Sequence, residues 1–477
     1  MRSTVERELK LRAGAGFRGI PFEGRELPEE MLTSTYYDTD DLRLADGGIT
    51  LRRRRADDRD PVWQLKLPGD NDRLELEWPA PTHAAPAEVR ELLTAHTRGR
   101  PLSAVATLRT RRAGVMVEDG GTDIAEVVSD FVDVLDNGRP VQTFHEIEAE
   151  LVDGDARALR ALEQELRDAG ASDADGRPKL FHALDLHPPT PPKRGKSRRA
   201  RLAAALEARY CEILTHDPRT RLGDADALHD HRVAVRRLRA MLRAGRPLID
   251  RRWADDLRRP LKHAGSELAE VRDLDVLIEQ LRADVDQLDW SVRTGGRRIV
   301  ETLEQRRARA QIELLAVLAG GAYVSLLNRL ELAVAEPRFS GSGSLAKALT
   351  REHRRTCRKV RRLPSRPADG ELHEIRKAVK RARYAAELLD AVGVKGTRKY
   401  LKRAKQVQDV LGDHQDAVVA ADVLQQLRAE LPDNAAQLAL TALTERQRAR
   451  QAQARAAFPK TWKRFQKQGR KLKKHVR

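Results

Sequence analysis

The run Pro188-Pro189-Thr190-Pro191-Pro192, followed by Lys193-Arg194-Gly195-Lys196, divides the chain in two. Clustered prolines hold a backbone extended and remove the amide donors that helix and sheet require. Net charge changes sign across this run. Residues 1–190 hold 26 Lys+Arg against 37 Asp+Glu, a net of −11, and residues 191–477 hold 64 against 35, a net of +29, which together give the +18 of the whole 477-residue chain. The apolar period changes at the same place. Upstream, alternating segments of strand length, separated by Gly, Asp, Asn and Pro, lie at 5–11, 50–54, 62–67, 73–78, 106–111, 124–128, 131–135 and 143–151. Helical patterns interrupt them near 87–95 and 155–169. Downstream, Ala, Leu, Arg and Glu recur with a period of 3.6 over long stretches. The reading is an α+β chain: an antiparallel β-barrel with flanking helices over 1–187, a Pro/basic linker over 188–200, and an all-α domain over 201–470.

A sequence pI near 10.1 predicts attraction to polyanions: nucleic acid, anionic lipid or polyphosphate. Aromatic residues make up 4% of the chain, low for a protein that reads single strands by stacking bases. Two cysteines, Cys211 and Cys357, far apart in basic stretches, exclude a disulfide framework and a cysteine-rich metal site and fit a reducing compartment. Residues 1–12 are charged throughout and lack the apolar core of a secretory signal. The longest apolar stretch, 314–327, is broken by Gly320-Gly321 and is shorter than the roughly 20 residues of a spanning helix. A soluble, cytoplasmic protein with no membrane partner is expected.

In the acidic half, like charges recur at alternate positions, which share one face of a strand. Glu6, Glu8 and Lys10 point together; so do Arg52 and Arg54, Glu75 and Glu77, Arg109 and Arg111, and Glu146, Glu148 and Glu150, while Lys66 shares a face with Gln64. Like charges crowded on one strand repel and make a poor neutral surface. They suit the lining of a closed or half-closed barrel that holds a polyanion with a metal. Arginines would grip phosphate oxygens bidentately, and carboxylates would hold a hard cation such as Mg²⁺ or Mn²⁺.

The ordered series Glu6-Arg7-Glu8-Leu9-Lys10, Thr35-Tyr36-Tyr37-Asp38-Thr39, Leu42-Arg43-Leu44, Ile49-Thr50-Leu51-Arg52-Arg53-Arg54, Trp63-Gln64-Leu65-Lys66 and Glu146-Ile147-Glu148-Ala149-Glu150-Leu151 resembles the CYTH family, the triphosphate tunnel enzymes. The resemblance covers about residues 1–187. It implies an eight-stranded antiparallel tunnel and a metal-dependent triphosphatase, an inorganic triphosphatase being the expectation among the thiamine triphosphatases and adenylate cyclases of the family. It also implies roles. Lys10, Arg52, Arg54, Lys66, Arg109, Arg111 and Lys179 would grip the triphosphate. Glu6, Glu8, Glu148 and Glu150 would bind Mg²⁺ or Mn²⁺, with Glu75, Glu77, Glu126 and Glu146 nearby. Glu6, Glu8, Lys10, Arg52, Arg54 and Lys66 form the catalytic set, and tripolyphosphate is the expected substrate, split to pyrophosphate and phosphate.

The basic half carries one pattern twice. His229-Asp-His231-Arg232-Val-Ala-Val-Arg236-Arg237-Leu-Arg239 aligns with His373-Glu-Ile-Arg376-Lys377-Ala-Val-Lys380-Arg381-Ala-Arg383. Further on, Arg258-Arg259-Pro-Leu-Lys262 parallels Arg398-Lys399-Tyr-Leu-Lys402, and Val271-Arg272-Asp273-Leu-Asp275 parallels Leu411-Gly412-Asp413-His414-Gln415-Asp416. A tandem duplication over about 201–335 and 345–470 is expected. At 100° per residue, His229, Arg232, Arg236, Arg239 and Arg243 share an arc of about 80°. His373, Arg376, Lys380 and Arg383 do the same, and neither stripe has an acidic residue four away to relieve it across His229–Arg243 or His373–Arg383.

This half resembles the CHAD family, all-helical domains that bind inorganic polyphosphate. The resemblance implies two four-helix repeats and a polyphosphate site formed by His229, Arg232, Arg236, Arg239, Arg258, Lys262, His373, Arg376, Lys380, Arg383, Lys399 and Lys402. Asp273, Asp275, Asp413 and Asp416 read as residues that pack helices and orient arginines. Inorganic polyphosphate is the expected partner, with location at polyphosphate granules. The alternatives are a non-catalytic phosphate clamp and, less favoured for want of aromatics on the stripes and of any base-reading motif, a nucleic-acid binder.

Overall fold

The computed structural model describes residues 2–14, 16–69, 73–153, 155–174, 177–187 and 195–475. The side chains of Glu6 and of residues 473–475 lie outside the described set, as does most of the proline run. The chain separates into two compact units that meet at Pro191/Pro192.

The first unit is a ten-stranded antiparallel sheet: β1 (Arg2–Glu6), β2 (Glu8–Ala13), β3 (Arg25–Asp38), β4 (Thr50–Ala56), β5 (Arg59–Pro68), β6 (Arg73–Pro79), β7 (Ser103–Asp119), β8 (Thr122–Asp136), β9 (Arg139–Leu151) and β10 (Ala171–Asp173). Its order is β1-β6-β5-β4-β3-β7-β8-β9-β2-β10. The short helices are α1 (Arg43–Asp46), α2 (Ala87–Leu92), α3 (Thr94–Thr97), α4 (Ala156–Asp168) and α5 (Lys179–Ala183). The hydrogen-bonded ladder does not close, so this is a curled sheet rather than a sealed barrel. The covalent chain spans the gap. β1 pairs with β6 and β2 with β9, and only Arg7 separates β1 from β2.

Two features exceed what periodicity predicts. β3 runs for 14 residues through a segment whose pattern does not alternate cleanly, and 124–128 and 131–135 belong to one strand, β8. The outer face of β2, β8 and β9 buries Leu11, Val127, Ile147 and Ala149 against Leu162 and Leu166 of α4. On the inner face, Leu180 and Phe181 of α5 pack with Tyr36, Leu108 and Val132, so α5 plugs one end of the lumen.

The second unit is all helical: α6 (Arg198–Arg221), α7 (Ala225–Ala244), α8 (Arg251–Val285), α9 (Trp290–Ala319), α10 (Gly321–Ala335), α11 (Leu345–Arg361), α12 (Asp369–Ala391), α13 (Arg398–Glu430) and α14 (Asn434–His475). The repeats are α6–α10 and α11–α14, so the first carries one helix more than the expected four. They are not separate bundles. Leu281 of α8, Leu303 of α9, Leu424 of α13 and Leu440 of α14 share one core. α9 and α14 approach backbone to backbone: a Cβ added at Gly295 would stand 2.1 Å from the carbonyl oxygen of Ala435. Gly295→Ala is therefore expected to destabilise the helical unit by about 1–3 kcal/mol despite alanine's better helix propensity. Chemical denaturation checks it; an unchanged midpoint contradicts it. No single described helix is long and apolar enough to cross a membrane; α9 and α10 reach that length only together, with a 56° bend at Gly320.

Candidate functional site

Cross-strand partners in an antiparallel sheet point to the same side, so the register reads out the lumen row by row. One row is Glu77–Gln64–Arg52–Tyr36, a second brings Arg54 beside Ser34, a third is Arg112–Asp130–Glu146, and the last two are Glu148–Lys10 and Glu126–Glu150–Glu8. Lys66 pairs with Glu75, 2.9 Å away.

Glu148 is the hub of the inner cations. Lys10 Nζ donates to it at 2.7 Å, Arg112 Nη2 at 2.8 Å and Lys179 Nζ at 3.0 Å. Burial alone would favour a neutral carboxyl there, but these three cations hold Glu148 well below the usual carboxylate range. Asp130, fully buried, receives Arg112 through two bonds of 2.8 and 2.7 Å and Lys179 at 2.6 Å. It thereby fixes the direction of both cations. Glu146 differs: it is buried, its Oε2 lacks a hydrogen-bond partner, and desolvation pushes it up against the pull of Lys179 and Lys10.

Arg54 is the uncompensated charge. No described carboxylate pairs with it, and burial followed by repulsion from Arg52 and Arg112 pushes its guanidinium down to about 10. It lines a cavity of about 490 Å³ with Arg112, Gln64, Glu77 and Glu126. Arg52 is turned inward by Gln64, which accepts from its Nε at 2.7 Å.

Two expected grips lie elsewhere. Arg109 and Arg111 are exposed on the outer face, where Arg111 lies 4.6 Å over the Phe131 ring. The inward residue of that strand is Arg112, because Thr110 and Arg112 share the parity of the lumen. Nor does Glu148 stand free to bind a metal, since three cations already satisfy it. The side chain of Glu6 is outside the described residues.

In the helical unit, α7 and α12 pack against each other, and their cationic faces meet α8 and α11 around a cavity of about 780 Å³. Arg236, Arg239, Arg258, Lys262 and Lys380 line it. Lys380 is its most strained charge. Burial, then Arg236, Arg376, Arg232 and Arg383, push its ammonium down to about 7. Arg232 and Arg376 stand beside it, each facing a carboxylate of the next helix: Asp273 at 2.9 Å and Asp416 at 4.0 Å. Asp275 is bonded by Arg307 at 3.0 Å. Other expected positions fall away from the cavity. Arg383 turns to Glu387 at 2.8 Å and Gln408 at 2.7 Å, because Glu387 lies one turn beyond the stripe. Lys399 lines a separate cavity with Lys395 and Arg398, and Lys402 is exposed outside the lining. His229 is exposed beside Arg272, and His373 keeps a buried Nδ1 without a partner.

Comparison with known proteins follows the same division. A family model for the CYTH domain matches residues 5–181, and one for the CHAD domain matches 204–425. An uncharacterised protein of Mycobacterium tuberculosis is 31% identical over 444 residues, 86% of this chain and 85% of its own. The chain belongs to the CYTH–CHAD proteins. Among solved structures, PptA from Streptomyces chartreusis is 23% identical, with a TM-score of 0.49 over 55% of this chain and 98% of that one. The CHAD domain of the plant Ricinus communis is 26% identical, with a TM-score of 0.43 over 56% of this chain and 90% of that one. HpAC1 from Hippeastrum, which has a dominant triphosphatase activity, is 15% identical, with a TM-score of 0.25 over 39% of this chain and 97% of that one.

CYTH domains include triphosphatases and cyclases and generally use divalent cations. Among the described residues no three carboxylates converge to ligating distance. The donor chemistry nevertheless fits such an ion at the Glu8–Glu150–Glu126 row. Burial raises Glu150 above the usual range; Lys66 opposes this, while Glu8, Glu75 and Glu126 add to it, and a cation would relieve their repulsion.

The residues that sequence reasoning missed in the CYTH lumen are Arg112 and Asp130. The available signal was the doublet Arg111-Arg112, which presents an arginine to both faces of β7. In the CHAD domain, Arg351, Arg355 and Arg381 also line the cavity. The signal for Arg351 and Arg355 was the density of cations in 347–362, outside the doubled motif; Arg381 stands inside the motif, next to Lys380.

Proposed function

We propose that the CYTH domain hydrolyses tripolyphosphate to pyrophosphate and phosphate with Mg²⁺ or Mn²⁺, and that the CHAD domain binds inorganic polyphosphate. The observation that supports the first part is Arg54: a lumen-facing guanidinium with no paired carboxylate, beside Arg52 and Arg112. A half-buried cation left this way favours an incoming anion. Arg52, Arg54 and Arg112 bind and orient the phosphate chain, while Lys10, held protonated by Glu148 and Glu8, and Lys179 neutralise charge that develops on phosphoryl oxygens. Glu8, Glu126 and Glu150 would hold the divalent ion, which when bound supplies further charge neutralisation at the phosphates. Glu146, buried and raised, is placed to accept a proton. For the CHAD domain the supporting observation is the cavity around Lys380, whose cations outnumber its carboxylates. Association with cytoplasmic polyphosphate granules belongs to the same reading.

Phosphate release from tripolyphosphate, ATP and thiamine triphosphate, with and without Mg²⁺ or Mn²⁺, tests the enzyme claim. Tripolyphosphate should turn over fastest, and Glu8→Ala/Glu150→Ala should abolish the metal dependence along with turnover. No release from any substrate, with the unmutated chain matching the double variant, leaves only a phosphate clamp. Cyclic nucleotide from ATP would identify a cyclase instead.

A further inference from the structure

The central CHAD cavity does not end at the doubled motif. A second cavity of about 570 Å³ adjoins it, and the two share Arg243, Arg355 and Arg381 in their linings. The second runs along α11, outside both copies of the motif apart from Arg381, and its own cations include Arg358 and Arg362.

Arg351, Arg355 and Arg358 of α11 and its C-cap residue Arg362 fall within an arc of about 60° and extend over about 17 Å along the helix axis. Like charges three and four residues apart destabilise a helix unless they are relieved. Here the relief is slight. Glu352 is turned to Arg355, at 3.1 Å, and to Arg381, at 3.8 Å. Arg358 and Arg362 are exposed and have no ion-pair partner among the described residues. The opposite face of α11 buries Leu345, Leu349, His353 and Thr356, which fixes the direction in which the arginines point. Glu352 is the one described carboxylate in the lining of this row, and the row lies end to end with the central cavity.

We infer that the arginine face of α11 is a second anion-binding track, continuous with the central CHAD cavity, that lets the domain discriminate long linear phosphate chains from short ones. The inference rests on the polyphosphate reading proposed above. A short chain is held by the central cations alone. A long chain emerges past Arg243, Arg355 and Arg381, which both cavities share, and gains contacts along Arg358 and Arg362. Because each contact releases counterions, the track adds both affinity and salt dependence for long chains only.

The test uses the full chain and its Arg358→Gln/Arg362→Gln variant, both positions lying outside the central cavity, with polyphosphates of about ten and about a hundred phosphates titrated at several salt concentrations. The variant should lose about tenfold in affinity for the long chain, and its log–log salt slope should fall by about 1.4, the value for two lost contacts at roughly 0.7 each. Its affinity for the short chain should stay within about twofold, which also reports an intact central site. Equal losses at both lengths, or no loss for the long chain, overturn the track while leaving polyphosphate binding in place. If the unmutated chain binds neither length, the polyphosphate reading itself falls, and the track with it.

Discussion

Replacing Arg112 by alanine is expected to lower kcat/KM for tripolyphosphate by about a hundred- to a thousandfold, the range seen when one preorganised charge-stabilising donor is removed from an active site. Arg112 is half-buried in the lumen between Asp130 and Glu148 and repels Arg54, which together aim two guanidinium groups at the same space. Its neighbour Arg111 points the other way, onto Phe131. Arg111→Ala should therefore leave kcat/KM within about threefold, since an exposed charge contributes little. The pair of variants tests the strand register as well as the residue. Arg112→Ala also strips two partners from buried carboxylates, so thermal melting should accompany the kinetics. Arg112→Lys, which keeps the charge and loses the bidentate geometry, should recover part of the activity. If Arg111→Ala costs as much as Arg112→Ala, the assignment of the lumen face is wrong.

The affinity of the CHAD domain for long-chain polyphosphate is expected to rise by up to about tenfold per pH unit as the pH falls from 9 to 7. In the unliganded protein, burial and the charges of Arg232 and Arg236 from α7, with Arg376 and Arg383 on its own helix, disfavour the protonated form of Lys380. It therefore loses its proton as pH rises through about 7. A bound polyanion reverses that penalty, so binding takes up a proton and weakens as pH rises. Stability of the unliganded protein moves the opposite way. A lysine normally titrates near 10.5, so between about 7 and 10.5 the unfolded chain binds the extra proton. Stability rises with pH across that window, and what Lys380 contributes is lost as pH falls toward 7. Isothermal titration at several pH values checks the binding arm. Lys380→Arg, charged at every accessible pH, should bind well at pH 9 and show a flat profile. An unmutated profile as flat as that of Lys380→Arg would falsify the assignment.

Several parts of this molecule were legible before any coordinates. The sign change at the proline run marked two domains because composition is a property of whole folding units. Charge alternation in β2, β4, β5 and β9 fixed which residues share a face, since strand parity follows from covalent geometry. The doubled His-x-x-Arg pattern placed the cations of α7 and α12 on one side of each helix for the same reason.

Parity alone does not say which face is inside. In Arg109-Thr110-Arg111-Arg112 the sequence offers arginine to both faces, and the choice falls to pairing with β3 and β8. Asp130 reads as one acidic residue among many until α5 brings Lys179 back across the chain to meet it. The same limit holds for Glu148. Its sequence context matches that of a metal ligand, yet Lys10, Arg112 and Lys179 converge on it from three separate elements.

The CHAD stripes show the converse. Lys399 and Lys402 match Arg259 and Lys262 in sequence but not in place, because the two repeats share a core through α8, α9, α13 and α14 rather than repeating one bundle unchanged. The sequence by itself determined the two domains, their opposite charge and the periodic faces that carry it. Those are local or additive properties of the chain. Only the tertiary structure decided which arginine of β7 enters the lumen, which carboxylates are already satisfied, and that the cationic groove continues along α11. Each of these depends on residues far apart in sequence whose charges act through space over a few ångströms.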